Sequence, residues 1–273
     1  MVTEVARPPR KLLRTRLIIA GGVLAVICVA VAVQRESQRR QLIHAIENAG
    51  GNVSGRRSFV ARLQDGISNG RISDSQLLVD VSGSMDNQWI REHDWLRPLK
   101  INRLLVVTNQ VHGSDLARLI DSHPLERLRI SSAAVTEDVL SAIARKESLF
   151  SFEAGSSDLT DEQLARLPLE QFTSLSLTGT RVTAKGAEEL RRCSQLKTVV
   201  LEGTQFNSTT ADVLAELGTI ESLGLLGPEV TDEDLEPLHR FSRLERLQLG
   251  NDRVTVKGRA ALQAALPECR IWP

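Results

Sequence analysis

The chain has 273 residues, of which 41% are hydrophobic and 25% are charged, and its formal net charge is zero. This length and apolar content are enough for one sizeable core or two small ones. Only 3% of the residues are aromatic and none is Tyr, which argues against a base-stacking platform for nucleic acid and against a Tyr-rich recognition surface. Three cysteines, Cys28, Cys193 and Cys269, are too few and too scattered for a disulfide framework or a structural zinc site.

The N-terminal part carries the pattern of a membrane anchor. Residues 1–16 form a basic tail, and residues 17–33 (LIIAGGVLAVICVAVAV) are 17 consecutive apolar or Gly residues, at the lower limit for a transmembrane helix. Five basic residues before this run and three closely after it favour a cytoplasmic N-terminus and an exported remainder. The eight are Arg7, Arg10, Lys11, Arg14 and Arg16 before the run, and Arg35, Arg39 and Arg40 after it.

A cleaved signal peptide is the alternative interpretation of this segment. Ala30-Val31-Ala32 matches a small-residue cleavage site, although the apolar run is longer than the usual hydrophobic region of a signal peptide. Both interpretations predict that the rest of the chain lies in the periplasm or an equivalent compartment. Cys28 falls inside the apolar run, where lipid-facing packing is expected, with palmitoylation as a second option.

Residues 34–70 are predicted to connect the anchor to the domain that follows. Leu42, Ile43 and Ile46 have helical spacing, and Gly50-Gly51 is a typical helix stop, so a short amphipathic helix is expected. Residues 52–70 have irregular polarity and are predicted to form a strand or loop that caps the next domain.

Residues 71–273 repeat with a period of 24. Apolar residues recur in pairs two positions apart, and more apolar residues follow each pair at helical spacing. Agreement in several columns at one fixed period is the signature of a repeat architecture. The pairs are Leu175 and Leu177, Val199 and Leu201, Leu223 and Leu225, and Leu247 and Leu249, and the helical positions that follow are Leu190, Leu214, Leu238 and Leu262.

Preceding and following segments extend the register less regularly. One pair is expected to come after a slightly short repeat, and one further strand is expected at the end of the chain. The predicted members are Leu104 and Val106, Leu128 and Ile130, Phe150 and Phe152, and finally Ile271. Each unit is then a strand, a turn and a returning helix, and stacked units bury a continuous core that no single unit can form.

The units SLSLTGTRVTAKGAEELRRCSQL, TVVLEGTQFNSTTADVLAELGTI, SLGLLGPEVTDEDLEPLHRFSRL and RLQLGNDRVTVKGRAALQAALPEC resemble leucine-rich repeats of the 24-residue kind. They are similar to repeats of single-pass bacterial envelope proteins. Thr180 and Thr204 stand where many such repeats carry Asn, and Pro228 and Asp252 depart even from Thr. The resemblance implies an α/β solenoid with a curved parallel sheet on its concave face and helices on its convex face. It also implies recognition of partners, usually proteins, through the concave face, without catalysis.

A short stretch, residues 79–85 (VDVSGSM), suggests a different kind of protein. Asp80, Ser82 and Ser84 match the Asp-x-Ser-x-Ser loop with which von Willebrand factor A-type domains hold a divalent cation. Such a cation needs several oxygen ligands, and that fold supplies the others from loops of a doubly wound sheet. The 24-residue period contradicts such a sheet, so the metal-dependent adhesion protein remains the less favoured alternative.

The repeat register assigns the same stretch a structural role. Val79 and Val81 form an inward pair, Asp80 points outward, and Gly83 lies in the turn. The stretch is therefore predicted to be the first repeat. The distance from Val79 to Val106 exceeds one period, which indicates a three-residue insertion between them.

Catalytic chemistry is not indicated by the sequence. The five histidines share no repeat column, and each is expected on the surface or in a loop. Cys193 occupies a column of apolar residues, so it is expected to pack as a small hydrophobe. No nucleophile, base and orienting group come together, and we predict no enzyme activity, no cofactor and no small-molecule substrate.

The outward positions of the strands leave one candidate binding surface. Arg103 and Arg127 occupy one column in neighbouring repeats, Arg129 lies beside them, and Leu105 and Val107 are predicted to be exposed nearby. Arg is enriched at the energetic centres of interfaces. We hypothesise that this patch binds an acidic or mixed surface of a protein partner. The alternatives are a solvated face without a ligand, in a structural envelope component, and the metal-dependent adhesion protein.

Overall fold

The computed structural model describes residues 30–31, 33–34, 36–54, 77–93, 101–131, 135–202, 206–227, 230–250 and 253–273. The predicted basic tail over 1–16 and nearly all of the predicted transmembrane segment over 17–33 lie outside these ranges. Among the helices of the described residues, none combines the length and the apolar character needed to cross a membrane.

Strands and helices alternate along the described chain. The strands are β1 (Asn52–Ser54), β2 (Leu78–Val81), β3 (Arg103–Val106), β4 (Arg127–Ile130), β5 (Ser151–Glu153), β6 (Ser174–Ser176), β7 (Thr198–Glu202), β8 (Ser222–Leu226), β9 (Arg246–Gly250) and β10 (Arg270–Trp272). The α-helices are α1 (36–48), α2 (Asn87–Glu92), α3 (Gly113–Ser122), α4 (Glu137–Ala144), α5 (Asp161–Leu164), α6 (Ala184–Ala187), α7 (Ser208–Leu217) and α8 (Val256–Ala265). The 3-10 helices are Leu169–Gln171, Glu188–Arg192 and Glu233–Arg240.

The chain divides into two compact units, Met1–Ala45 and Ile46–Pro273. In the first unit, Arg40 pairs with Glu36 one helical turn before it, at 3.3 Å. In the second unit, the end of α1 is closed by two backbone bonds, from the Gly50 N–H to the Glu47 carbonyl and from the Gly51 N–H to the Ile46 carbonyl, each 3.0 Å. Gly50 has φ +90°, as this type of helix end requires. The predicted stop at Gly50-Gly51 is confirmed.

All ten strands of the described chain belong to one sheet whose spatial order follows the chain, from β1 to β10. β1 is antiparallel to β2, and every later neighbour pair is parallel. The register places the predicted apolar columns side by side, for example Leu175 beside Val199 and Leu223 beside Leu247. Ile271 pairs with Leu247, which confirms the predicted last strand.

The core of the repeat unit is a stack of these apolar columns. The inward residues of β2 to β9 are at most 2% exposed, and so are the helical residues Leu190, Leu214, Leu238 and Leu262, as the period required. Phe152 and Phe172 stack with ring centroids 6.0 Å apart in the middle of this core. The prediction of an α/β leucine-rich-repeat solenoid is thus confirmed by the sheet order and the register of the chain itself.

The predicted register of the β5 repeat was wrong by two residues. Phe152, not Phe150, pairs with Leu128, so the inward pair is Phe152 and Ala154, and Ala154 is fully buried. Ser156 then occupies the turn position with φ +50°, where other repeats carry Gly. The sequence fits two registers, with either Phe150 and Phe152 or Phe152 and Ala154 as the inward pair. The turn position that would distinguish them carries Ser156 and not Gly. The short repeat is the one that begins at Phe152. Phe152 pairs with Leu175 in the next strand, and Leu175 comes one residue earlier than the 24-residue period requires.

The predicted three-residue insertion after the first repeat was also wrong. Val81 pairs with Val106, so this repeat is longer than the 24-residue period by a single residue. Val79 is the first inward residue of its pair and Val106 is the second inward residue of the next pair, so the distance between them is two residues longer than the repeat.

VDVSGSM is the strand and turn of the first repeat. Gly83 has φ +68°, the same value as Gly179 at the equivalent turn position. The Ser82 and Ser84 hydroxyls donate to the backbone carbonyls of Gly50 and Ala49, at 3.2 and 3.1 Å. The consecutive strand order also differs from that of a doubly wound sheet, which overturns the adhesion-domain alternative.

Candidate functional site

The five residues predicted to bind a partner lie together on the exposed face of the sheet. Arg103 pairs with Arg127 and Leu105 pairs with Arg129 across β3 and β4, and Val107 follows directly after β3. Neighbouring strands are about 4.8 Å apart, so these side chains form one surface. This set of five is called the basic-apolar patch below.

The patch combines charge with accessible apolar area. Val107 is 47% exposed, Arg127 and Arg129 are exposed, and Arg103 and Leu105 are half-buried. The other large hydrophobic side chains that are exposed in the described part of the chain belong to helices, not to the face of the sheet. An apolar side chain beside guanidinium groups on a rigid sheet is a surface suited to contact with another molecule.

Two neighbours of the patch hold its arginines in place. The Arg129 Nε lies 3.4 Å from the Glu153 Oε2, and both side chains are about half exposed, so this ion pair contributes little to stability. The Arg127 guanidinium carbon lies 5.5 Å from the centre of the Phe150 ring, within the range of a cation–π contact. This role of Phe150 was not predicted, because the spacing of Phe150 and Phe152 indicated that both belong to the core.

The cysteines of the described residues have no features of a reactive site. Cys193 is fully buried, and burial, assisted by the nearby negative charge of Glu170, raises its pKa to about 12. Burial also raises the pKa of Cys269. A thiol that stays protonated at neutral pH is a poor nucleophile, which confirms the predicted packing role of Cys193.

The histidines are dispersed, as expected, although His123 is buried in the loop after α3 rather than exposed. His93 stacks on Trp89 with ring centroids 4.0 Å apart. Within the part of the chain that the structure describes, no cluster of three or more His, Cys, Asp or Glu side chains is arranged to hold a metal ion.

Comparisons with known proteins add two structural likenesses. No protein-family model matches the chain, and no curated protein matches it. A structure of TLR13 in complex with ssRNA13 aligns with 70% of this chain at 15% identity and a TM-score of 0.45, and the chain spans only 31% of that protein. The internalin inlF from Listeria monocytogenes aligns with 77% of this chain at 16% identity and a TM-score of 0.37, over 94% of its own length.

The class of the protein therefore rests on its own geometry. A sheet in chain order, buried columns at a 24-residue period and returning helices define a leucine-rich-repeat solenoid. Its distinctive surface is the basic-apolar patch on the exposed face of β3 and β4.

Proposed function

We propose that this protein is a membrane-anchored, extracytoplasmic recognition module without catalytic activity, which binds a protein partner through the exposed face of its sheet. The observation that carries the proposal is the basic-apolar patch, in which Arg103, Arg127 and Arg129 lie beside the half-buried Leu105 and the exposed Val107. Arginine next to accessible apolar area is the composition of an interface centre.

The position of the patch on the sheet supports this proposal. Its side chains project from hydrogen-bonded strands whose inward residues are buried, so their spacing is fixed before a partner arrives. A surface fixed in advance loses little conformational entropy on binding.

Site-specific photocrosslinking in native membranes tests the binding face. A photoreactive p-benzoylphenylalanine at Val107 is expected to give a discrete protein adduct. The matched control is the same residue at Val256, which is 87% exposed but lies on α8. Adducts that are the same from both positions, or absent from Val107, would contradict the proposal and favour a structural envelope component without a specific ligand.

Membrane anchoring is proposed from the apolar run over residues 17–33 and its flanking basic residues. We expect the full chain to stay in the membrane fraction after alkaline carbonate extraction, and a variant that lacks residues 1–33 to be released. Mass spectrometry of the mature N-terminus distinguishes the two interpretations. Cleavage of a signal peptide after Ala32 would remove the apolar run and leave Val33 as the first residue.

A further inference from the structure

The first two arginines of the patch, Arg103 and Arg127, place like charges next to each other. Arg103 and Arg127 are direct neighbours in adjacent parallel strands, so two positive side chains leave the same face side by side. Like charges at directly opposed positions of a sheet destabilise it. Within the described ranges, neither side chain forms an ion pair with a carboxylate.

Elsewhere in the solenoid, arginines are commonly neutralised by the neighbouring repeat. Such pairs are Arg91 with Asp115, Arg145 with Asp121, Arg166 with Glu137, Arg192 with Glu170, and Arg129 with Glu153. Arg103 and Arg127 lack this compensation among the described residues, although the fold repeatedly provides it. A ligand carboxylate between the two guanidinium groups would supply the missing charge.

The surface beside the arginine pair determines what else the ligand contacts. Leu105 and Val107 follow Arg103 at every second residue along the exposed face, about 6.7 Å apart. An extended peptide has the same two-residue spacing. An acidic residue above Arg103 and Arg127 would therefore place apolar residues, two and four positions away, above Leu105 and Val107.

Arg127 and Arg129 differ in their availability. The Phe150 ring contacts the Arg127 guanidinium through its face. This contact orients the guanidinium and leaves its N–H groups available to donate hydrogen bonds to a carboxylate. Arg129 already has Glu153 as a partner. The anion-binding centre is thus Arg103 with Arg127, and Arg129 serves as a paired neighbour.

We infer that Arg103 and Arg127 form a clamp for one carboxylate of an extended, acidic segment of a protein partner, with apolar residues of that segment lying on Leu105 and Val107. This inference rests on the proposed function and specifies the chemistry of the ligand at the same site.

Peptide binding to the full-length protein in detergent tests the clamp. The probe is the fluorescein-labelled peptide Leu-Ser-Val-Ser-Glu-Ser-Val-Ser-Leu, in which Val and Leu lie two and four positions from the central Glu on both sides, so that either chain direction presents the required spacing. We expect it to bind, by fluorescence anisotropy, at least tenfold more tightly than the same peptide with Gln in place of Glu. Absence of binding, equal binding of the Gln peptide, or tighter binding of a phosphoserine peptide would overturn the inference.

Neutral variants assign the binding to the two arginines. R103Q/R127Q is expected to weaken binding of the Glu peptide at least tenfold while its melting temperature stays equal or rises, because the repulsion is removed. The matched control is R246Q/R270Q, which removes an exposed pair at the same positions of β9 and β10, followed along β9 by Gln248 and Gly250 rather than by apolar residues. Equal loss of binding in both double variants would overturn the assignment.

Failure of the clamp and failure of the proposed function give different results. If R103Q/R127Q still forms the Val107 photoadduct in native membranes, the exposed face binds a partner without the clamp, and only this inference is overturned. If no adduct forms from Val107 in the wild-type protein, the proposed function fails.

Discussion

At the scale of single residues, burial determines the chemistry of Cys193. Its side chain is fully buried and its thiol pKa is raised to about 12, chiefly by desolvation. We therefore expect iodoacetamide to leave Cys193 unmodified in the folded protein and to alkylate it once denaturant unfolds the chain. Peptide mass spectrometry at increasing denaturant measures this directly. A Cys introduced at exposed Ser208 should react in the folded state, and equal reactivity at Cys193 would refute the prediction.

Two hydrogen bonds from Thr255 make the Asp232 carboxyl more acidic. The Thr255 hydroxyl donates to the Asp232 Oδ2 at 2.6 Å and the Thr255 backbone N–H donates to the Oδ1 at 2.8 Å, and these bonds lower the pKa of Asp232. A carboxyl whose pKa is lowered by folding contributes stability above its unfolded pKa, and this contribution is lost as the pH falls through the folded pKa.

Thr255→Val removes the hydroxyl bond and keeps the backbone bond, so the pKa of Asp232 is expected to rise toward its ordinary value. NMR titration of the side-chain carboxyl carbons tests this shift. Glu221 is an internal control, since its pKa is lowered mainly by its hydrogen bond to Lys197, which the substitution does not touch. An unchanged Asp232 titration would contradict the assignment.

At the scale of the repeat element, Thr is followed three residues later by Gly at Thr183 and Gly186 and again at Thr255 and Gly258, and contacts between neighbouring repeats explain this spacing. The Asp161 carboxylate accepts the backbone N–H and the hydroxyl of Thr183, at 2.7 and 2.8 Å. Gly186 lies so close that an added Cβ would meet the Asp161 carboxylate. Asp232, Thr255 and Gly258 repeat the arrangement later in the chain. Gly is needed here for close approach, not for its backbone conformation.

Substitution of Gly186 measures the cost of that close approach. In the interior of a helix Gly→Ala usually stabilises by up to about 1 kcal/mol. Gly186→Ala is expected instead to destabilise by roughly 1–3 kcal/mol, because the new methyl group displaces the Asp161 carboxylate. In an Asp161→Ala background the same substitution should cost less, because only the Asp161 Cβ remains close to the new methyl group, at 3.0 Å. Urea unfolding of the four proteins gives the cycle, and equal effects in both backgrounds would exclude the steric explanation.

Strands could be predicted from the sequence where each residue type is compatible with only one side of the sheet. The pairs Leu175 and Leu177 and Leu223 and Leu225 gave correct strands because apolar residues alternate there with polar or small ones. The register around Phe150 was missed because an aromatic residue is compatible with the core and with a cation–π contact. Side-chain choices of this kind depend on neighbouring strands, which the local pattern does not encode.

The five patch residues were predicted from the same columns, and the sheet brings them together. The partners of the patch were not predicted. Glu153 pairs with Arg129 only because the β5 register places it in the adjacent strand. The hydrogen bonds from Thr183 to Asp161 and from Thr255 to Asp232 were not predicted either. Each joins residues of two successive repeats, and the pattern within one repeat gives no sign of it.

At the scale of the whole solenoid, each described strand of the Ile46–Pro273 unit is hydrogen-bonded, within the sheet, only to the strands before and after it in the sequence. Stability in such a structure is close to a sum of repeat terms and nearest-neighbour interface terms. Damage to one repeat should therefore weaken that repeat and its neighbours more than distant ones. The pair of Phe152 and Phe172 offers a central site at which to test this locality.

Phe152→Ala removes a fully buried ring between β4 and β6, and should destabilise the unit by about 3–5 kcal/mol. Because the interfaces act between neighbours, native-state hydrogen exchange should accelerate most for amides of β4 to β6 and least for those of β9 and β10. Val213→Ala, a buried substitution in α7, is the matched control, and its faster amides should centre on β7 and β8. If both variants accelerate exchange uniformly along the unit, its repeats unfold as one cooperative body and the nearest-neighbour account fails.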